Sequence, residues 1–276
     1  MEETRDGPRM DPGMTTTNRA TRTLATTVAT AIGLLGAATA RAAPEEIQVY
    51  MNEMDAPGEV GLDLHNNYVL SGSSELDYPG AQGSLHRYRL TPEFSYGLTP
   101  TIDLGAYLPL LTVADGNGLS AEGIKFRIKY IPAKSFAENT WWGFNFEVGK
   151  VSHALDINPW NAELKSIIGG RHGKWLLAAN ANVDFVVSGP QPGPVTLDVD
   201  AKIAYSVSPG TQLGVETYSG LGALSRLGNL RNEDQAIYVV ADTSIGKWDL
   251  DVGLGRGFGA SRDSWVFKAI VGVPLK

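Results

Sequence analysis

The 276-residue chain contains no cysteine, which excludes disulfide stapling, thiolate nucleophiles and zinc sites built on sulfur. Positive charge is scarce too: 23 Lys and Arg stand against 30 Asp and Glu, for a formal charge of −7. The basic residues are scattered, so phosphate-rich partners are excluded and no nucleic acid is expected. After Ala43 no run approaches the ~20 apolar residues of a membrane helix. Histidine is limited to His65, His86, His153 and His172, with no i,i+4 pair among them, so no metal site is expected. Low charge, 19%, with 32 glycines suits an all-β protein.

What is present begins with a leader. Arg19 and Arg22 precede a mildly apolar stretch, Leu24 to Ala38, and Ala40-Arg41-Ala42 offers the small residues of a signal-peptidase site. Residues 1–42 are therefore predicted to be an over-extended start and a secretory signal peptide, and residues 43–58 a periplasmic lead-in. An exported chain without cysteine fits a large β-structure closed on itself.

From Glu59 onward, segments of about ten residues alternate with period two between clusters of Gly, Pro, Asn, Asp and Ser. About twelve such strands are predicted over residues 59–276, from Glu59–Leu70 to Ser264–Leu275. The hardest to orient follows Gln235, where "AIYVVADT" is apolar on both faces. Thr99-Pro100, His172 to Lys174, Ser206 to Thr211 and Gly246-Lys247 are short links, whereas Ser71 to Leu85, Thr112 to Ala121 and Gly220 to Asp234 are longer and polar. Short turns at one end and long loops at the other predict a closed antiparallel transmembrane β-barrel of the bacterial outer membrane.

The aromatic residues orient the faces. Tyr96, Tyr130, Trp142, Trp175, Tyr205 and Trp248 each lie within a few residues of a short link, on the apolar face of their strand. Such rings favour a bilayer interface, so these six are predicted to form a girdle facing outer-membrane lipid. The opposite face then lines a lumen. Candidate lumen residues are Arg87, Arg89, Glu93, Lys125, Arg127 and Lys129 toward the first strands, and Asp198, Asp200, Glu216, Asp249 and Asp251 on the eighth to eleventh. In a cylinder of twelve strands the basic residues of the first set face the second set.

"RLTPEFSYGLTPTIDLGAYLPLL", "KFRIKY", "GLGRGFG" and the ending "FKAIVGVPLK" resemble the outer-membrane β-barrel family named for the meta-pathway of phenol degradation. The resemblance spans most of Glu59 to Lys276 and carries no catalytic signature. It implies an exported barrel loosely associated with passage of small organic compounds; as an outer-membrane barrel the chain is expected to have barrel-assembly and periplasmic chaperone machinery as partners.

Enzymatic chemistry finds little support. Ser152 and His153 are adjacent, so they point apart, and Glu233-Asp234 has no anchored histidine. "GLGRGFG" lacks the following helix of a dinucleotide site. No catalytic residue and no cofactor are expected. The reading is a porin-like diffusion channel for small, organic or aromatic solutes; a closed structural or surface-interaction barrel is the alternative and an outer-membrane enzyme a third.

Overall fold

The computed structural model describes residues 1, 46–114, 118–228 and 230–275, and the expected signal peptide lies outside the described residues apart from Met1. Twelve strands follow one another: β1 (Val60–Gly72), β2 (Tyr88–Thr99), β3 (Ile102–Ala114), β4 (Gly118–Tyr130), β5 (Thr140–Val151) and β6 (Trp160–His172). Then come β7 (Trp175–Ser188), β8 (Thr196–Ser208), β9 (Thr211–Ala223), β10 (Asp234–Ile245), β11 (Trp248–Gly259) and β12 (Asp263–Gly272). Each pairs antiparallel with its sequence neighbours, and β1 pairs with β12, so the sheet closes and has no edge.

The predicted alternation of link lengths holds in part: the β4–β5 link, 131–139, is longer than the β5–β6 link, 152–159, and the β11–β12 link, 260–262, is short. Thr112 to Ala121, expected as a long loop, is mostly strand: Thr112 pairs with Ser120 and Val113 with Leu119. The period-two pattern runs on through these residues, and the Asp-Gly-Asn between the strands is turn-forming in composition. Pro92 and Pro109 fall inside register shifts, where β2 and β3 are displaced between Leu90 and Glu93 and β3 and β4 between Tyr107 and Leu110. A proline cannot donate to the ladder, so a bulge absorbs the missing bond.

Side chains are arranged inside out relative to a water-soluble sandwich. Phe94, Phe126, Phe144, Phe146, Ile168 and Leu254 point outward and are exposed, while Arg89, Glu93, Glu147, Lys202 and Lys268 point inward and are buried. An apolar belt running round a protein far exceeds the few hundred Å² of patch that soluble proteins expose. In "AIYVVADT", Tyr238 and Val240 turn inward and Ile237 and Val239 outward. Inward Tyr238 fits because Gly255 opposite it on β11 has no side chain; a Cβ there would collide with the tyrosine ring.

Candidate functional site: the barrel interior

Inward charges are matched to partners on adjacent strands or on strands two or three places away. His65 Nε2 lies 2.9 Å from Glu93 Oε2. The other oxygen of Glu93 accepts from Arg127, whose Nη1 is 3.6 Å from Asp103 Oδ1. Arg89 Nε is 3.5 Å from Glu122 Oε2, which also accepts from Thr112 at 2.5 Å. On the far wall Glu216 sits between two ammonium groups, Lys268 at 2.5 Å and Lys202 at 3.0 Å. Lys202 reaches Asp242 at 2.9 Å, and Lys268 reaches Asp251 at 3.3 Å.

These pairs correct the expectation of two walls of unlike sign. Arg89, Arg127 and Lys129 are inside as expected, but Glu93, Asp103 and Glu122 lie among them; Asp200, Glu216 and Asp251 are interleaved with Lys165, Lys202 and Lys268. The three lysines were missed although alternation along β6, β8 and β12 already turned them inward. Burial explains the pairing: an ion out of water persists where an opposite charge and hydrogen bonds replace its hydration. Among the remaining candidates, Lys125 and Asp198 are half-buried. Arg87 bonds Asp263 at 2.8 Å near the long-loop end, and Asp249 is exposed at the short-turn end, where Ser244 donates to it at 2.6 Å.

The six aromatics predicted as a girdle project outward near the short-turn end. Tyr96, Tyr130, Trp175, Tyr205 and Trp248 are exposed. Trp142 is half-buried between Tyr130 and Phe144, with ring centroids at 6.3 and 5.8 Å, and Trp175 packs edge-on to Tyr205 at 4.9 Å. Trp141 turns inward instead, under the Arg171 guanidinium.

The principal surprise is the segment expected as a periplasmic lead-in. Residues 46–55 run inside the barrel. Asn180 holds the backbone of Tyr50 at both ends, accepting from its N–H at 2.7 Å and donating to its carbonyl at 2.9 Å. The Tyr50 hydroxyl lies 2.6 Å from that of Tyr107 and 3.1 Å from Glu147 Oε1. Its ring lies beneath Lys165, 4.5 Å from the ammonium to the centroid. Lys268 donates to the Ile47 carbonyl at 3.1 Å, Lys129 to that of Glu53 at 2.8 Å, and Arg171 to Asn52 Oδ1 at 3.3 Å. Val49 and Tyr50 join Trp141, Ile167, Leu176 and Ala178 in a buried apolar cluster. The chain leaves past Gly97, where any Cβ would strike the Asp55 and Ala56 carbonyls, and continues into β1.

At its inner end Glu46 accepts from Tyr107 at 3.0 Å. Its carboxyl is pushed up to about 7 by burial first and then by Glu147 and Glu93. Glu46, His65 and Glu93 stand together, each offering a donor atom within 4.8 Å of the others. His65 is thus deep in the barrel and 1% exposed.

Two cavities flank the segment, and Gln48 lines both. One, of about 600 Å³, lies between Tyr50–Asp55 and wall residues Asp103, Arg127, Lys202, Asp242 and Asp251. The other, of about 220 Å³, is bounded by Glu46–Gln48, Glu163, Asp198, Asp200, Asp234 and Tyr218, with Lys165 the one lysine among the described residues that line it. The β1–β2 loop ties down the long-loop end: Gln82 bonds Glu122, Ser84 and Arg87 bond Asp263, and Arg262 bonds Asp77. His153 packs on Tyr78 at 5.2 Å and bonds the Pro79 carbonyl at 3.2 Å, so it serves as a loop anchor.

The closed barrel fold is shared with solved outer-membrane channel and porin structures. The chain resembles the COG4313 outer membrane channel from Pseudomonas putida F1, with TM-score 0.55 and 14% identity over 82% of this chain and 99% of that one. It resembles the KdgM porin (TM-score 0.53, 12% identity, 78% and 99% covered) and the NanC porin (0.51, 11%, 78% and 99%). At such identities the likeness is one of fold. No protein-family model and no curated protein matches the sequence.

Proposed function

We propose that this protein is an outer-membrane diffusion channel for small solutes, closed at rest by its own residues 46–55. The observation that carries the proposal is the pair of cavities, about 600 and 220 Å³, with that segment between them. A barrel serving only as a wall fixture has no need of solvent space on both sides of a removable segment. The apolar outer belt with aromatics at the short-turn end supports insertion by strands into the outer membrane. The channel and porin neighbours, none of them described as an enzyme, support passage rather than catalysis. Carboxylates outnumber ammonium groups around the smaller cavity, which favours solutes carrying positive charge. The family resemblance adds organic or aromatic character to that solute.

Single-channel current in a planar bilayer tests the proposal. The full chain conducts rarely, and a variant lacking residues 46–57 conducts persistently with cation preference. Silence of both leaves the closed structural barrel, a reading that the dense ion pairing of Glu216 with Lys202 and Lys268 favours.

A further inference from the structure

We infer that Glu46, His65 and Glu93 form a binding site for a divalent transition-metal ion of the zinc class, which fixes the N-terminal segment to the barrel wall. The site is built from three elements: His65 on β1, Glu93 on β2 and Glu46 from the segment. In the β1–β2 register His65 faces Thr91 and Glu93 faces Asp63, so the two are diagonal neighbours on the inner face. Their donor atoms and that of Glu46 lie within 4.8 Å of one another. A tetrahedral ion with bonds of about 2 Å spaces its ligands roughly 3.3 Å apart, so rotamer adjustment closes the set.

Independent of that spacing, Glu46 Oε1 is buried with no hydrogen-bond partner among the described residues, and an ion held by it takes the place of the 2.9 Å bond between His65 Nε2 and Glu93 Oε2. An unsatisfied buried polar atom is costly, and a ligated ion removes the cost. The outer contacts are of the kind that orient ligands. Tyr107 donates to the second oxygen of Glu46 at 3.0 Å, and Arg127 donates to the second oxygen of Glu93. One imidazole with two carboxylates suits a first-row transition ion better than calcium or magnesium, which take six or more oxygens or retain several waters. Three protein ligands leave a fourth position for water. Since Glu46 belongs to the segment and the other two ligands to the wall, the bound ion is a latch, and this holds whether or not the barrel conducts.

The test is calorimetric titration of the EDTA-stripped, detergent-solubilised full chain with zinc chloride. We expect one zinc per chain, with affinity at least tenfold weaker in Glu46→Gln and in His65→Gln and unchanged in Glu75→Gln, an exposed loop residue. Absence of binding, or equal affinity in Glu46→Gln and His65→Gln, overturns the site. Should a variant fail to fold, zinc-edge X-ray absorption of the parent chain decides: one imidazole and oxygen ligands are expected, and an all-oxygen shell overturns it. Because the chain has no cysteine, a single nitroxide at Gln48→Cys reports the latch. Zinc slows the label in the parent background and not with Glu46→Gln; a label indifferent to bound zinc refutes the fixing.

Discussion

Asn180→Ala separates the closing segment from the wall at its best-held point. The side chain makes two hydrogen bonds to the Tyr50 backbone, 2.7 and 2.9 Å long, which together mimic one rung of a β-ladder. When the segment leaves, water takes up the Tyr50 N–H and carbonyl, so the net value of each bond applies, about 1 kcal/mol. Losing both weakens seating by about 2 kcal/mol, and at about 1.4 kcal/mol per factor of ten the ratio of unseated to seated segment rises roughly 30-fold. Single-channel open fraction reads this ratio directly. Asn182→Ala is the control, since Asn182 lies one inward position further along β7 and bonds Asp200 at 2.7 Å, with no hydrogen bond to residues 46–55 among the described residues. The reasoning fails if Asn180→Ala and Asn182→Ala show the parent's open fraction while the variant lacking residues 46–57 conducts.

Other perturbations probe the wall itself. Glu216→Gln strips two buried ammonium groups of their shared anion and is expected to destabilise the barrel by about 3–5 kcal/mol, whereas Lys268→Met leaves Glu216 with Lys202 and costs less; urea unfolding followed by heat-dependent gel mobility ranks the two. Val239→Arg places a guanidinium at mid-strand on the outer face and is expected to cost about 2–4 kcal/mol in lipid, against little for Val239→Leu, by the same assay. In single-tryptophan variants, brominated lipid quenches Trp175 and Trp248 and spares Trp141; quenching of Trp141 by that lipid contradicts its inward orientation.

The strands were legible because each had to satisfy two solvents at once, and that demand writes a period-two pattern into residues such as Phe94 and Glu93. Where both faces tolerate apolar groups, as at Tyr238 and Val239, the pattern goes silent, and only the space beside Gly255 reveals which side turns inward. Ion pairing was hidden for a different reason. Arg127 meets Glu93 across β3, at a height fixed by bulges near Pro92 and Pro109 that no single strand announces. Residues 46–55 were illegible as a closing segment because they form no ladder; their hydrogen bonds go to side chains on β3, β4, β5, β6, β7 and β12, which come together only once the barrel has closed. The alternation of Ile47, Val49 and Met51 was the one local hint.

The direct continuation of that segment into β1 sets its kinetics. From Asp55, bonded to Asp103, to Val60 at the start of β1 is a span of a few residues, so a segment that has come loose stays beside its seat. Short tethers give effective concentrations in the millimolar range. Reclosure is therefore a first-order event that does not depend on how much protein the membrane holds, and a free peptide of the same sequence supplied at micromolar concentration competes poorly for the same seat. On the proposed function, each barrel would open and shut on its own clock, with its neighbours having no say.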